Sequence, residues 1–483
     1  MTSPLHADKT VLAALPLAQA AVVHDLAHAF AKGGAELYLV GGIVRDVLMG
    51  RELPHDLDFA TNALPERTQE MGRAAGADAV YLVGERFGTV GLIFGTKTPI
   101  QMQGQVQVEI TTYRREHYPD ETRHPAVEHV GNLVDDLARR DFTVNAIAVD
   151  ATTGELIDPF GGEADLALSV LRAVGDPDER FAEDPLRLPR AARFVAQLGF
   201  RIDWPTFEAM QRGAPNLARI SKERIYAELT KLLTGEFASH GLDALIDTGL
   251  LIEAMPELAP MADEATGRPG IHREKDLWEH TLRVVDRTPA RPIVRWAALL
   301  HDSAKPLTRS VDEFGEVHFF GHERIGADLA TRLLQRLKAD KATQLAVARL
   351  VELHLRPAAY EPDWTDSAVR RLMLEADRVL DDLLDLVAAD VTSAREQKQQ
   401  AAAARVADLR AHIERVEEEH ALAQMKSPLD GDDLMAMFDR PPGRWIAVIK
   451  DALREMVIDG ELEPEDKEGA ARIAREMVER GEA

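Results

Sequence analysis

Asp56 and Asp58, one residue apart in DLDFAT, are the side chains of this 483-residue chain best spaced for metal chemistry. The segment reads as a short strand, on which positions two apart point to the same face. The carboxylates then stand roughly 6–7 Å apart and can bracket a pair of Mg²⁺ ions. Two such ions, about 3.5–4 Å apart, activate an attacking hydroxyl and stabilise a departing pyrophosphate. Exposed acids at strand ends are also common, so the spacing alone leaves an ordinary structural reading open. Upstream, the strand-like run Leu37 to Val40 meets Gly41-Gly42, and helical spacing resumes from Ile43 to Met49. Strand, glycine turn and helix offer backbone N–H groups to a triphosphate, and Arg45 adds a charge one turn into the helix. Glu109, in VQVEITTY, is either a third carboxylate or an ordinary exposed strand position.

These residues need a small sheet to hold them. DLDFAT, TVGLIFG and VQVEITTYR alternate apolar and polar residues as strands do. EHYPDETRHPAVEHV reads as a polar, proline-bearing loop, and RRDFTVNAIAVD closes the region. From about residue 166 the strand signal gives way to amphipathic helices, among them EDPLRLPRAARFVAQLGF and ISKERIYAELTKLLTG. AREQKQQAAAARVADLRAHIERVEEEHALAQ reads as one long charged helix, an arm. The expected organisation is a leader over 1–19, a head over 20–165, a helical neck over 166–240, a helical body over 241–395, and an arm and tail over 396–483.

Bulk properties narrow the class. Hydrophobic residues make up 45% and charged residues 29%, the balance of a globular chain of several domains. No apolar run is long enough for a membrane span, and the first 20 residues lack the features of a signal peptide, so the cytoplasm is expected. Cysteine is absent, which excludes disulfides and thiolate metal sites. The net charge of −25 argues against a chain coated in nucleic acid. Charge is uneven, however: Phe181 to Leu232 holds 9 basic and 6 acidic residues, against 5 and 11 from Asp451 to Ala483. An RNA surface belongs in the first region, with Arg219, Lys222 and Arg224 as candidates, although Arg224 is better placed to brace the neck.

Asp184 and Arg187 lie one helical turn apart if EDPLR is helical, and so share a face. A carboxylate acceptor beside a guanidinium fork can imitate a Watson–Crick partner; the same spacing also makes plain surface salt bridges.

GGIVRD, DLDFAT, RRDFTVNAIA, EDPLR and ISKERI follow one another in this order from Gly41 to Ile225. Together they resemble the bacterial class II CCA-adding tRNA nucleotidyltransferase and poly(A) polymerase family. The resemblance implies an α+β fold with a small polymerase-beta-like α/β head and a mostly helical neck, body and tail. It also implies attack of the tRNA 3′-hydroxyl on CTP or ATP, with no DNA or membrane partner. By match to the motifs, Asp56 and Asp58 hold two Mg²⁺ ions, Gly42 and Arg45 contact the nucleotide, Arg140 reaches its triphosphate or ribose, and Asp141 and Asn145 shape the site. Asp184, Arg187, Arg190 and Arg193 match positions that meet the nucleotide, and the stretch from Tyr113 to Val130 matches a loop that helps the site switch from C to A. Pro189 departs from the usual aliphatic residue, implying either a later helix start or a kink.

WEHTLRVV, AALLHDSAKPLTR, GHERIG, LVELHL and LVAADVTSA resemble an HD-type metal domain. His280, His301, Asp302, His322, His354 and Asp390 follow its ligand order, with Ser303-Ala304 in place of the usual Ile-Gly. The resemblance leaves a phosphohydrolase and a scaffold for tRNA both open there. The rivals to CCA addition are a poly(A) polymerase, against which the acidic tail argues, and an HD phosphohydrolase or RNA-binding scaffold with an inactive head.

Overall fold

The computed structural model describes residues 11–53, 56–83, 88–95, 105–117, 126–129, 131–261, 277–391, 396–424, 427–458, 461–463 and 465–480. Chain packing divides it into two units, Met1–Glu352 and Leu353–Ala483, a division that falls inside the expected body.

The first unit opens on the head. Its strands are β1 (Tyr38–Val40), β2 (Asp56–Thr61), β3 (Ala79–Val83), β4 (Thr89–Phe94), β5 (Val106–Thr112), β6 (Arg114–His117), β7 (Ala126–His129), β8 (Ala148–Asp150) and β9 (Leu156–Ile157). Seven of them form one mixed sheet in the order β3-β4-β5-β2-β1-β8-β9. Only β2 and β5 run parallel to each other; the other neighbours in this sheet are antiparallel. Alternation sets the faces: Leu57, Phe59, Val106, Val108 and Ile110 are buried, while Asp56, Asp58, Gln107 and Glu109 are exposed. Helices α1 (Leu17–Lys32), α2 (Gly42–Leu48), α3 (Pro65–Ala74), α4 (Leu133–Ala138) and α5 (Gly162–Leu168) complete the head.

Two expectations change here. Val11 and Leu15, placed in the leader, are buried, because a short 3-10 turn (Val11–Ala14) and the first turn of α1 belong to the head's packing. The segment expected as a loop begins and ends as the β6–β7 hairpin, pairing Arg114 with His129 and His117 with Ala126; residues 118–125 and 130 lie outside the described residues.

The neck consists of α6 (Pro177–Glu183), α7 (Arg187–Leu198), α8 (Trp204–Gly213), α9 (Lys222–Leu233), α10 (Ala238–Asp247) and α11 (Leu250–Ala254). Strand signal does not vanish at 166: β10 (Val170–Leu171) pairs in parallel with β11 (Arg201–Ile202). A hairpin of β12 (Ser310–Val311) and β13 (Val317–His318) follows in the body. These pairs are two residues long, too short to leave an alternating pattern. Helix α7 is the spine of the neck, burying Leu188, Ala191, Ala192 and Val195 and packing against α9 and α10. The later helix start is the outcome at Pro189: it is the third residue of α7, inside the first turn, where no upstream carbonyl waits for its N–H. The body is joined to the neck through Trp296, whose indole stacks on Tyr226 at 5.7 Å and donates to the Thr230 hydroxyl at 3.0 Å.

The second unit is helical. The long helix Glu396–Gln424 was expected as an arm, yet it buries Val406, Leu409, Ile413 and Val416 against Leu355–Ala358, Asp366–Ala376 and Leu380–Asp390. Its even charge hides that stripe. The tail forms as read, with helix Gly431–Phe438, the Pro441-Pro442-Gly443 turn and helix Arg444–Ile458. Leu434, Ile449, Leu453, Ala470 and Ala474 form its core. Among the described residues no helix is long and apolar enough to cross a membrane.

Because Pro189 sits in the first turn, Pro189→Ala should lower stability by about 0.5 kcal/mol, through unfolded-chain entropy alone. A urea titration showing that the substitution stabilises the protein by 1 kcal/mol or more would instead mean a strained kink.

Candidate active site

The sheet presents its carboxylates along one edge. With Leu57 and Phe59 turned into the core, Asp56 and Asp58 emerge together, and the parallel register sets Glu109 directly beside Asp58. Burial, and then the like charges of Glu109 and Asp56, push the Asp58 carboxyl above its ordinary value, while Arg140 pulls the other way. A row of hard oxygen donors that repel one another fits a divalent cation, which would relieve that repulsion.

Gly41 makes this edge accessible. Its backbone takes φ 79° and ψ −139°, outside the range of other residues. A Cβ there would stand 3.1 Å from Arg140 Nη1 and 3.9 Å from Asp58 Oδ2. Gly42 opens α2 without such a demand, as a Cβ would meet only Arg45 Nη2, at an ordinary 3.5 Å. The amides of the first turn of α2 lack upstream partners by helix geometry and open beside the carboxylates.

Behind this edge lies a chain of buried charge. Arg45, 9% exposed, donates to Asp46 Oδ1 at 2.9 Å and to Asn145 Oδ1 at 2.8 Å. The Asn145 amide donates to Asp141 Oδ1 at 3.1 Å, and Arg190 donates to Asp141 Oδ2 at 3.0 and 2.6 Å. Burial alone would raise the Asp141 carboxyl, but Arg190 and Asn145 bring it down to about 2. Glu228 of α9 pairs with Arg193 at 2.9 Å and with Arg190 at 3.6 Å. The Phe194 ring lies under three guanidinium groups, those of Arg193 (4.3 Å), Arg45 (5.4 Å) and Arg190 (5.6 Å). Arg190 therefore ties neck to head, bonded to Asp141 and paired with Glu228, while the ion pair of Arg193 holds α7 to α9 within the neck.

Asp184 and Arg187 do not share a helical face. Asp184 lies between α6 and α7 in extended conformation, φ −138° and ψ 99°, where its Oδ1 accepts from the Leu186 N–H at 3.0 Å. Pro185 excludes a continuous helix, since it restricts the residue before it. The Arg187 guanidinium turns toward the head, donating to the Arg180 carbonyl at 2.9 Å, Glu183 Oε2 at 2.7 Å and the Arg139 carbonyl at 2.8 Å. Arg224 braces Asp184, donating to Oδ2 at 3.0 Å.

A second cluster occupies the body. His301 and Asp302 are fully buried, and His280 and His322 nearly so. Asp302 Oδ2 lies 3.2 Å from His301 Nε2 and 3.3 Å from His280 Nε2, and its Oδ1 lies 3.4 Å from His322 Nε2. His301 and His322 each spend Nδ1 on a backbone carbonyl, of Ala298 at 2.8 Å and Phe319 at 2.7 Å. In a neutral ring this leaves the Nε2 lone pair facing Asp302, the tautomer of a metal ligand. Burial would raise Asp302, but where the imidazoles are protonated His301, His280 and His322 hold it well below the usual carboxylate range. Lys305 donates to Oδ2 at 2.6 Å. The departure at Ser303-Ala304 is absorbed locally: Ser303 Oγ bonds the Leu300 carbonyl at 2.7 Å, and Ala304 packs toward Gly326. The other expected ligands lie in the second unit, His354 buried just ahead of helix Leu355–Ala358 and Asp390 at the end of Leu380–Asp390.

Four acids around these networks escaped the sequence reading: Asp46, Glu183, Glu228 and Asp136, the last of which accepts from Arg139 at 2.8 Å. Glu228 had no local signal, since its partners lie on another helix. Asp136 did, standing three and four residues before Arg139 and Arg140 on a helix.

Comparison with known proteins agrees with this anatomy. Residues 37–172 match the family model of the poly A polymerase head domain, 199–261 that of the "Probable RNA and SrmB-binding site of polymerase A", and 277–408 that of the HD domain. The CCA-adding enzyme of Geobacillus sp. (strain WCH70) is 45% identical over 220 residues, 45% of this chain and 50% of that protein. That of Geobacillus kaustophilus is 40% identical over 269 residues, 54% of this chain and 62% of that protein. The chain thus spans 50% to 62% of the length of these curated relatives. Among solved structures, Bacillus stearothermophilus CCA-adding enzyme in complex with CTP aligns over 97% of this chain and 98% of its own, with TM-score 0.57 and 28% identity. The Thermotoga maritima CCA-adding enzyme complexed with tRNA, at 17% identity and TM-score 0.55, shares the fold.

The pairing of Asp141 makes stability depend on pH. A carboxyl at about 2 in the folded chain against 3.8 unfolded stabilises fully above the ordinary carboxylate range and loses that effect as pH falls toward about 2. Asp141→Asn should therefore cost on the order of 2 kcal/mol at neutral pH. The gap between the urea midpoints of the two proteins should narrow as pH is lowered; a gap independent of pH would contradict the pairing.

Proposed function

Because separate stretches of the chain match the family models of a poly A polymerase head domain and an HD domain, we propose that it is a tRNA nucleotidyltransferase that adds C, C and A to the RNA 3′ end from CTP and ATP, in the cytoplasm. The observation that carries this reading is the register of Asp56, Asp58 and Glu109 on one exposed face. In the reaction the RNA 3′-hydroxyl attacks the α-phosphorus of the triphosphate, a phosphodiester forms, and pyrophosphate leaves. Asp56 and Asp58, with Glu109 beside them, would hold two Mg²⁺ ions, which when bound supply charge at the attacking and departing oxygens.

The chain's own groups do the rest. Gly41 lets the triphosphate approach the first turn of α2, where amides and Arg45 face it. Arg140 stands between this turn and Asp58, a guanidinium whose charge burial disfavours and whose nearest carboxylate, Asp136, is 3.7 Å away. A half-buried guanidinium held by a 3.3 Å bond to the Asn145 carbonyl and a 3.7 Å approach to Asp136 suits a phosphate oxygen. Asp184, held by Arg224, and Arg187, held by Glu183 and the Arg139 carbonyl, would read the base as acceptor and donor. Fixed side chains of this kind select without a nucleic-acid template. Arg190 and Arg193 would complete the site.

The body supports a second metal centre, with His280, His301, Asp302 and His322 as ligands, on the observation that the Nδ1 bonds of His301 and His322 aim both Nε2 atoms at one carboxylate. Metal analysis after dialysis should find a divalent ion that Asp302→Ala loses while Asp58→Ala retains it; equal content in both proteins would reject this centre.

The transferase reading is tested on labelled tRNA transcripts ending before the first C, after one C and after both. Stepwise CTP use followed by a single A is expected, and Asp58→Ala should reduce it by roughly three orders of magnitude or more. Long A-tails without CTP use would make the protein a poly(A) polymerase, and no incorporation would defeat the transferase reading.

A further inference from the structure

The peptide segment Arg139-Arg140 carries contacts to both halves of the head site. From Arg140 the guanidinium extends over Gly41 toward Asp58. From Arg139 the backbone carbonyl receives Arg187 Nη2 at 2.8 Å, which links that guanidinium to the head. This segment is the turn that directly follows α4, a helix of six residues that has little stability of its own. Its position must be imposed from outside.

Asp136 imposes it. The carboxylate is 1% exposed and gathers three parts of the head. Its Oδ1 accepts from Arg139 Nε at 3.0 Å and Nη2 at 2.8 Å, and from the backbone N–H of Arg114 at 3.3 Å, where β6 leaves the sheet. Its Oδ2 faces Arg140 Nη2 at 3.7 Å, long enough to orient that guanidinium without occupying it. Arg114 in turn follows Tyr113, a fully buried ring whose hydroxyl donates to Glu36 at 3.0 Å. One carboxylate thus pins the Arg139-Arg140 segment to a rigid part of the sheet, and through it sets the places of Arg140 and Arg187.

We propose that Asp136 is a positioning residue of the nucleotidyl-transfer site, aligning the triphosphate-facing Arg140 and the base-reading Arg187 through the single turn that carries both. The proposal rests on the transferase reading above. It differs from a role in folding alone, which would change melting temperature and leave nucleotide handling intact.

The test compares wild type, Asp136→Asn and Arg139→Gln in CTP and ATP addition, measuring KM, kcat, UTP misincorporation and thermal melting. Asparagine keeps an acceptor for the Arg114 N–H but removes the charge that orders the arginines. For Asp136→Asn, KM for CTP and ATP should rise about tenfold and discrimination against UTP should fall about tenfold. Arg139→Gln leaves Asp136 to Arg140, so discrimination should fall while KM changes less than about threefold. A lowered melting temperature with unchanged KM and discrimination in Asp136→Asn would overturn the proposal. Should that variant not fold, unchanged discrimination in Arg139→Gln would overturn it equally. An inactive wild type would refute the transferase reading itself, an outcome distinct from an active wild type with unaffected variants.

Discussion

A buried charge must find a partner, and in this protein the Asp141 carboxylate is the partner on which head and neck agree. It faces Asn145 on one side and Arg190 on the other. Through Asn145 it fixes Arg45 at the entrance to α2; through Arg190 it reaches Glu228 and α9. Separating the pair leaves the buried Asp141 carboxylate without its cation, although Arg190 keeps part of its side chain in solvent. The arrangement is therefore held by the penalty of dismantling it. Phe194 adds a flat apolar support that keeps three like charges close together, which no carboxylate count alone would allow.

The two metal-type sites solve the same electrostatic problem with different donors. In the head, desolvation first and then the neighbouring carboxylates of Glu109 and Asp56 keep Asp58 reluctant to ionise. In the body, imidazoles surround one carboxylate and keep Asp302 ionised. The first arrangement suits a hard ion that enters with its substrate, and the second an ion enclosed by nitrogen and oxygen donors. Their separation along the chain, with a neck of packed helices between them, lets each be tuned without disturbing the other.

The head was legible because its chemistry is local. Asp56, Asp58 and Gly41 sit within 18 residues, and strand alternation dictates which way the aspartates point. Glu109 was legible as a candidate, but its match to Asp58 depends on a parallel register no local pattern encodes. The neck was harder. A helical reading of EDPLR put Asp184 and Arg187 on one face, whereas Pro185 ends that regularity and the pair is assembled from the extended link after α6 and the first residue of α7. Glu228 could not be found, since burial of an acid beside two arginines from another helix is a tertiary event. The long charged helix hid its apolar stripe for a similar reason: Val406, Leu409, Ile413 and Val416 are set among so many polar residues that the overall pattern reads as polar.

The parallel register of β2 and β5 also constrains how this gene can drift. Length changes in the connection from β4 to β5 leave the pairing untouched, since hydrogen bonds and not tether length set it. A single-codon insertion within β5 is another matter. It would shift parity, turn Glu109 into the core and bring a valine out to the carboxylate edge. Lineages can therefore vary freely around this strand while its interior stays closed to every indel of odd length.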